Sequence, residues 1–476
     1  MITLALIFVP MIVALLVWCS AKLKLQIALV NIAALLHVAG TFLLWIVPQW
    51  DDCVPQVVRE LVGQDMLSKT VLSVISLLFW LSAMQTVRYF PMVRKHFSEN
   101  SGKFLAPRLV ALCLLGFLSS MTLVASSRNF GLLWVAMEAT TLASAPLIIF
   151  YRTGNSLEAM WKYVLICSVG IGFALFGTML LAIAGGGHAG MDMQLLAGSE
   201  LHPLWFKAAF VFILAGYGTK MGLAPFQAWM PDAYSEAPGV LSVLSSGALL
   251  ACSFLGVARV LAIAPESVRT FCSTLLITLG IISLALAAFF ILRQNDFKRM
   301  LAYSSMEHMG LTAILWGMGL HEVALVHIIV HALLKVVLFM TADNIQLAFG
   351  SQKIKAVSGL LGTSRRNGVV YLGAILALCG MPPSPLFVTE MLLVKAAGPM
   401  QGGVLLLLLF VVFAGMSYHA MNMVMGQRRE LAVPAGELKQ LEKLADLPRC
   451  VLLFVLLAGA ILLGWLVCCG TVPGCF

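Results

Sequence analysis

The chain has 476 residues, of which 61% are hydrophobic and 11% charged, with a formal net charge of +9. Soluble domains run about 45–50% apolar and about 25% charged, so the composition excludes a water-soluble enzyme and marks an all-α, polytopic membrane protein. The apolar runs are about 20 residues long, enough for a helix to cross a core of about 30 Å, and the short alternating segments of an outer-membrane barrel are missing.

In chain order, about fourteen spans are predicted. They are Ile2–Ser20, Leu23–Pro48, Ser68–Phe90, Pro107–Ser126, Asn129–Phe150, Ala159–Ala184 and Pro203–Ala224, followed by Gly239–Ala264, Thr270–Leu292, Met300–Met318, Glu322–Gly350, Asn367–Lys395, Gly402–Gly426 and Cys450–Gly470. The first run has no basic region ahead of it and no small-residue cleavage site behind it, so it reads as a retained helix. With the N-terminus outside, the inner loops collect most of the 30 Lys and Arg, while the outer loops hold only Arg59, Lys69, Arg128, Lys207 and Arg269. The positive-inside rule therefore places both termini outside. This sidedness explains the net charge, and no nucleic-acid partner is expected.

The seventh and twelfth spans are each interrupted by proline beside glycine and methionine, at Met221-Gly-Leu-Ala-Pro225 and at Gly380-Met-Pro382-Pro383-Ser-Pro385. A proline removes a helical hydrogen bond, which a membrane tolerates only where the backbone meets protein or a wet cavity. Paired broken helices suggest two inverted five-helix repeats, because an odd number of spans per copy reverses the second copy. The predicted organisation is residues 1–106 (helices one to three), 107–264 (first repeat), 265–426 (second, inverted repeat) and 427–476 (an inner-face loop helix and the last span). The alternative is that the two kinks are unrelated, as kinked helices are common in multi-span proteins. The loop from Gln427 to Arg449 mixes charges with leucines at helical spacing and reads as a surface helix on the inner face.

Ionisable residues inside spans are costly and point to function. Lys220 lies five residues before Pro225, and Glu138 sits near the middle of the fifth span as its expected partner. At about 7 Å and an effective dielectric of about 20, such a pair is worth about 2.4 kcal/mol. A carboxylate that moves away changes the hold of the lysine on its proton, so the pair can act as a switch; a static structural pair is the alternative. His327, His331 and Lys335 recur every four residues and share one helical face, where neutral imidazoles can accept on one nitrogen and donate from the other. Glu390 offers a terminal acceptor beyond the second break. Glu307 and His308 are candidates for an inner entrance. Asp232 and Glu236, in an inner loop with Pro231 and Pro238, are candidates for proton uptake or for turn and capping roles. Asp296, Lys298 and Arg299 read as interfacial anchors, and Arg259 as a charged member of the eighth span or a snorkelling anchor.

The 11 cysteines show no Cys-x-x-Cys and no ferredoxin or zinc spacing, so no metal or iron–sulfur cluster is expected, and Cys475 with Cys468 and Cys469 is a candidate for an external disulfide. No Gly-x-Gly-x-x-Gly opens a helix in a βαβ unit, so no cofactor of its own is expected.

These residues resemble the antiporter-like family of complex I proton-pumping subunits, Mrp-type cation antiporters and membrane-bound hydrogenases. The resemblance rests on Glu138 in its context, Lys220 before Pro225-x-x-x-Trp229-Met-Pro-Asp232, Asp296-Phe-Lys-Arg-Met-Leu-Ala-Tyr-Ser-Ser305, His331 with Lys335, and Gly380-Met-Pro-Pro383. The runs Trp134-Val-Ala-Met-Glu-Ala-Thr-Thr-Leu-Ala-Ser-Ala-Pro-Leu147 and Ser304-Ser-Met-Glu-His-Met-Gly310 are most similar to the hydrogenase-4 component F branch, found in formate hydrogenlyase-like complexes.

The resemblance implies fourteen helices, two inverted half-channels and a central charged row in which Glu138, Lys220, Lys335 and Glu390 take the key positions, with His331 near the middle. It implies a proton-translocating subunit in the cytoplasmic (inner) membrane of a prokaryote, working beside other antiporter-like subunits, a membrane anchor subunit, lipids and a peripheral [NiFe]/Fe–S arm on the inner face. An Mrp-type Na+(K+)/H+ antiporter subunit and a complex I M/N-type subunit are the alternatives. The chain ends soon after the fourteenth span, without the lateral helix of the L-type subunit, and it has glutamate where some members have lysine at 390.

Overall fold

The computed structural model describes residues 1–47, 55–98, 105–187, 190–427, 429, 431–432, 438 and 442–468. Among them the regular structure is helical, with isolated bridges in place of strands. The helices of the first part are α1 (Ile2–Cys19), α2 (Leu23–Ile46), α3 (Gln56–Leu61), α4 (Met66–Ser98), α5 (Pro107–Ser126), α6 (Phe130–Ile148), α7 (Gly154–Ala184), α8 (Met193–Ala197), α9 (Pro203–Met221), α10 (Met230–Glu236), α11 (Gly239–Val243) and α12 (Leu250–Ala262). The rest are α13 (Glu266–Leu292), α14 (Phe297–Gly317), α15 (His321–Phe349), α16 (Leu360–Thr363), α17 (Arg365–Leu378), α18 (Pro385–Val424) and α19 (Asp446–Cys468).

Among the described residues, 11 helices are long and apolar enough to cross a membrane. Of the predicted spans, α9, α14 and α17 fall outside that set. The first two carry charge, at Lys207 and Lys220 and at Lys298, Arg299 and Glu307, and α17 has only 14 residues because the chain breaks after it. The predicted inner-face helix between Gln427 and Arg449 falls mostly outside the described residues, as do Cys469 and Cys475 of the candidate disulfide. The described cysteines Cys19, Cys113, Cys167, Cys252, Cys272, Cys379 and Cys450 are free thiols.

The chain divides into two compact units, Met1–Leu276 and Ile277–Phe476. In the first, α7 and α9 meet through small residues. A Cβ added at Gly216 would lie 2.5 Å from the Ala174 nitrogen and 2.7 Å from the Gly170 oxygen, and one at Gly177 would lie 2.8 Å from the Ala209 oxygen. Such close backbone approach is how membrane helices gain packing where apolar burial alone drives little association. It presses the last turn of α9, with Thr219 and Lys220, onto α7. In the second unit Gly280 of α13 and Gly310 of α14 do the same: each Cβ would fall within 2.8 Å of the other's carbonyl oxygen.

Two buried charges tie helix ends together. Arg259 on α12 donates to the Ser127 and Ala125 carbonyls at the end of α5 and to the Ser68 hydroxyl on α4, and lies 3.8 Å from Asp65. Arg259 is thus a buried charged member of its span, not a snorkelling side chain, and its guanidinium satisfies carbonyls that a helix C-terminus leaves open. Burial raises the Asp65 pKa, but Arg259 and Ser68 outweigh it and hold the carboxyl below its ordinary value. In the second unit Asp296 caps α14, accepting from the Lys298 and Arg299 amides at 2.9 and 3.1 Å. Lys298, expected at the interface, is instead fully buried and pairs with Asp343 of α15 at 2.6 Å.

Gly216→Ala is expected to destabilise the protein by about 1–3 kcal/mol, since overpacking here meets backbone, whereas Gly172→Ala, with nothing within 4 Å, is expected to be neutral; thermal unfolding in detergent checks both. Lys298→Met alone is expected to cost about 3–5 kcal/mol by taking the buried ammonium away from the Asp343 carboxylate, and Lys298→Met with Asp343→Leu to recover most of the loss. A double variant as unstable as the single one would show that the charge pair is not what the fold needs.

Candidate functional site

The first unit builds a lysine site from three helices. Asn129 caps α6 by accepting from the Gly131 and Leu132 amides at 2.9 and 3.2 Å. Glu138 therefore sits nine residues beyond the cap, about 14 Å along α6. The carboxylate is half-buried and accepts from the Ser168 hydroxyl at 2.8 Å and the Thr141 hydroxyl at 3.4 Å. Lys220 is 0% exposed and donates to Thr140 Oγ1 at 3.2 Å and the Tyr163 hydroxyl at 3.5 Å. The Tyr163 and Ser144 hydroxyls are 2.7 Å apart.

Among the described residues Lys220 makes no ion pair. The expected partner Glu138 is bonded separately: consecutive threonines on α6 form a hydroxyl layer that serves the two charges, Thr140 for Lys220 and Thr141 for Glu138. A small cavity lined by Ser144, Tyr163, Trp229, Tyr234 and Ser245 lies beside this layer, and one turn of wider π-helix, Leu244–Leu249, contributes Ser245. Such turns occur mostly as single-turn bulges inside α-helices and are frequent at functional sites.

The break after Lys220 is a defined cap. Gly222 is left-handed at φ 75°, and the Leu223 amide returns to the Gly218 carbonyl at 2.9 Å, the glycine-dependent helix stop. The Trp229 indole donates to the Thr219 carbonyl at 2.9 Å. Pro225 follows in a cis peptide. Asp232 pairs with Lys162 of α7 at 2.9 Å, and it and Glu236 lie on α10.

The second unit carries a longer arrangement on α14, α15 and α18. Lys335 is also 0% exposed and donates to the Leu301 carbonyl at 2.7 Å and to the Ser304 hydroxyl. His327 and His331 share a face of α15 as predicted, and His308 of α14 stands against both. His308 Nδ1 lies 3.1 Å from His327 Nε2, and the His308 and His331 ring centroids are 5.0 Å apart. His327 Nδ1 bonds Thr389 Oγ1 at 2.8 Å. Among the described residues the Nε2 atom of His331 is buried without a hydrogen-bond partner. Glu307 and His308, expected at an entrance, are buried at 2% and 1% exposure, because α14 packs closely in this unit.

Glu390 follows Thr389 on α18 and is half-buried. Its carboxylate rests on the break: a Cβ at Gly380 would fall 2.2 Å from Glu390 Oε2. That break repeats the first, with Gly380 left-handed at φ 69°, the Met381 amide returning to the Leu376 carbonyl at 3.0 Å, and a cis peptide before Pro383. Pro382 precedes it, and Pro385 starts α18 with Ser384 as its cap. Among the described residues no group of His, Cys, Asp or Glu has metal-holding geometry.

Sequence reasoning missed Ser168, Tyr163 and Thr389. Tyr163 belongs to the buried face of α7 that also holds Ala159, Cys167 and Gly170, and that periodicity was its available signal. Neither Ser168 nor Thr389 stands out from ordinary helix polarity in one sequence.

Residues 127–417, more than half of the chain, match the family described as NADH:quinone oxidoreductase/Mrp antiporter, TM. The hydrogenase-4 component F homolog of Methylacidiphilum infernorum is 35% identical over 315 residues, 63% of this chain and 65% of that protein. NADH-quinone oxidoreductase subunit 14 of Thermus thermophilus is 31% identical over 284 residues, 60% and 61% of the two chains. The alignments thus span less than two thirds of either relative. A chain of the membrane-bound sulfane sulfur reductase, an archaeal respiratory membrane complex, shares the fold with a TM-score of 0.80 over 97% of this chain and 95% of that one, at 21% identity. This chain is an integral membrane protein that belongs to the NADH:quinone oxidoreductase/Mrp antiporter transmembrane family.

Proposed function

We propose that this antiporter-like subunit translocates protons in a hydrogenase-4 or formate hydrogenlyase-like complex, and that residues 107–264 and 265–426 are inverted half-channels. The observation that carries the reading is a pair of fully buried lysines, one per unit, each held by neutral oxygens. An ammonium so placed is costly and adds little to stability that an apolar side chain would not, so retaining it suits a group whose charge state changes. In the first unit Glu138, Thr141, Thr140 and Lys220 form a short step in which hydroxyls stand between acid and base. In the second, Thr389, His327, His308 and His331 supply alternating donors and acceptors toward Lys335, with Glu390 beyond Thr389.

The likeness of the two glycine-stopped breaks supports the repeat reading, and the 35% identity to the hydrogenase-4 component F homolog supports the choice of complex. On this reading the chain does no redox chemistry. Partner subunits supply the energy: other antiporter-like subunits, a membrane anchor and a peripheral [NiFe]/Fe–S arm on the inner face. Moving one proton against about 100 mV takes about 2.3 kcal/mol. Both termini lie outside the prokaryotic inner membrane.

Lys220→Met and His308→Ala, each in the whole complex reconstituted in liposomes, are expected to lower substrate-driven proton transfer about 10²-fold with assembly intact. Glu138→Gln is expected to do the same. Normal pumping in Lys220→Met and Glu138→Gln would overturn the proposal, and proton movement that needs Na+ or K+ but no redox substrate would replace it with the Mrp-type antiporter reading.

A further inference from the structure

An apolar cavity of the first unit lies away from these charges, between α2, α4 and α5. It measures about 330 Å³ and is lined by Leu23, Val30, Phe90, Val110, Leu114 and their apolar neighbours, with Gln26 and Thr86 as its polar side chains. Both are already engaged: Gln26 Nε2 donates to the Ser20 carbonyl at 2.7 Å, and Thr86 Oγ1 to the Ala83 carbonyl at 2.6 Å. A buried water needs about three polar partners, and this cavity offers few, so its lining suits hydrocarbon better than water.

The mouth is basic. The lining residues Leu23, Pro107 and Phe150 come from the start of α2, the start of α5 and the 3-10 turn that follows α6, and Lys22, Lys24, Arg108 and Arg152 are exposed cations within two residues of them in the chain. Among the described residues none of these four has a carboxylate partner. The Arg108 guanidinium sits 5.7 Å from the Trp18 ring centroid, and tryptophan with basic residues is the usual furniture of a membrane interface.

We propose that this cavity holds an acyl chain of an anionic phospholipid whose headgroup sits among Lys22, Lys24 and Arg108. Charge complementarity selects that occupant: a neutral lipid or quinone would fill the apolar part equally well but leave the cations unanswered. The site is independent of the proton-transfer reading, and most of its lining precedes the family match at residue 127.

The test uses the full chain in nanodiscs of phosphatidylcholine doped with phosphatidylglycerol, released into the gas phase for native mass spectrometry. One phosphatidylglycerol is expected to stay bound, favoured over phosphatidylcholine by about fivefold for each interacting cation. Lys22→Gln with Arg108→Gln is expected to abolish most of the preference while leaving a lipid bound, and Ala111→Phe, which fills the cavity, to release the lipid. Leu114→Trp repeats the filling test, with thermal unfolding of every variant confirming the fold. Equal retention of the two lipids by the unaltered chain, unchanged retention in a folded cavity-filled variant, or displacement of phosphatidylglycerol by a neutral quinone would overturn the assignment.

Discussion

An ammonium group taken from water into a helix bundle has to replace its hydration with fixed oxygens, and the rest of this molecule is arranged around that demand. Lys220 finds Thr140 and Tyr163, and Lys335 finds the Leu301 carbonyl and Ser304. Neither solution uses a carboxylate contact. A direct ion pair would fix the charge in place, while hydroxyls that can donate or accept accommodate either protonation state.

That arrangement needs helices held very close. Gly216 and Gly177 let α9 and α7 touch at the backbone, which brings Tyr163 within reach of Lys220, and Gly280 and Gly310 bring α14 against α13. The breaks then follow from glycine in a second role. At Gly222 and Gly380 the left-handed backbone closes the helix by returning an amide to the carbonyl five residues back, so the open carbonyls at an intramembrane end are partly satisfied. Charged anchors finish the ends: Arg259 gathers the carbonyls that terminate α5, and Asp296 caps α14.

The N-terminal helices answer a different requirement. Their cavity is apolar and its polar side chains are bonded to nearby backbone carbonyls, in contrast to the hydroxyl and imidazole lines elsewhere. Even His37, buried on α2, is bonded on both nitrogens, to Ser76 at 2.8 Å and Thr122 at 2.9 Å. Within one unit, polar lines and an oily cavity thus occupy separate places.

The sequence by itself determined the membrane class, most of the helices and the place of Glu138, Lys220, Lys335 and Glu390 within them, because hydrocarbon penalises polarity so strongly that a charge inside an apolar run stands out. It placed both helix breaks, since proline beside glycine cannot continue a helix. Only the tertiary structure decided which neutral oxygens hold each lysine and that His308 stands between His327 and His331. It also decided that Lys298 turns inward to Asp343 and Arg259 to helix ends. Those partners come from different helices, and spacing along a chain reports the face a residue occupies but not which neighbour that face meets.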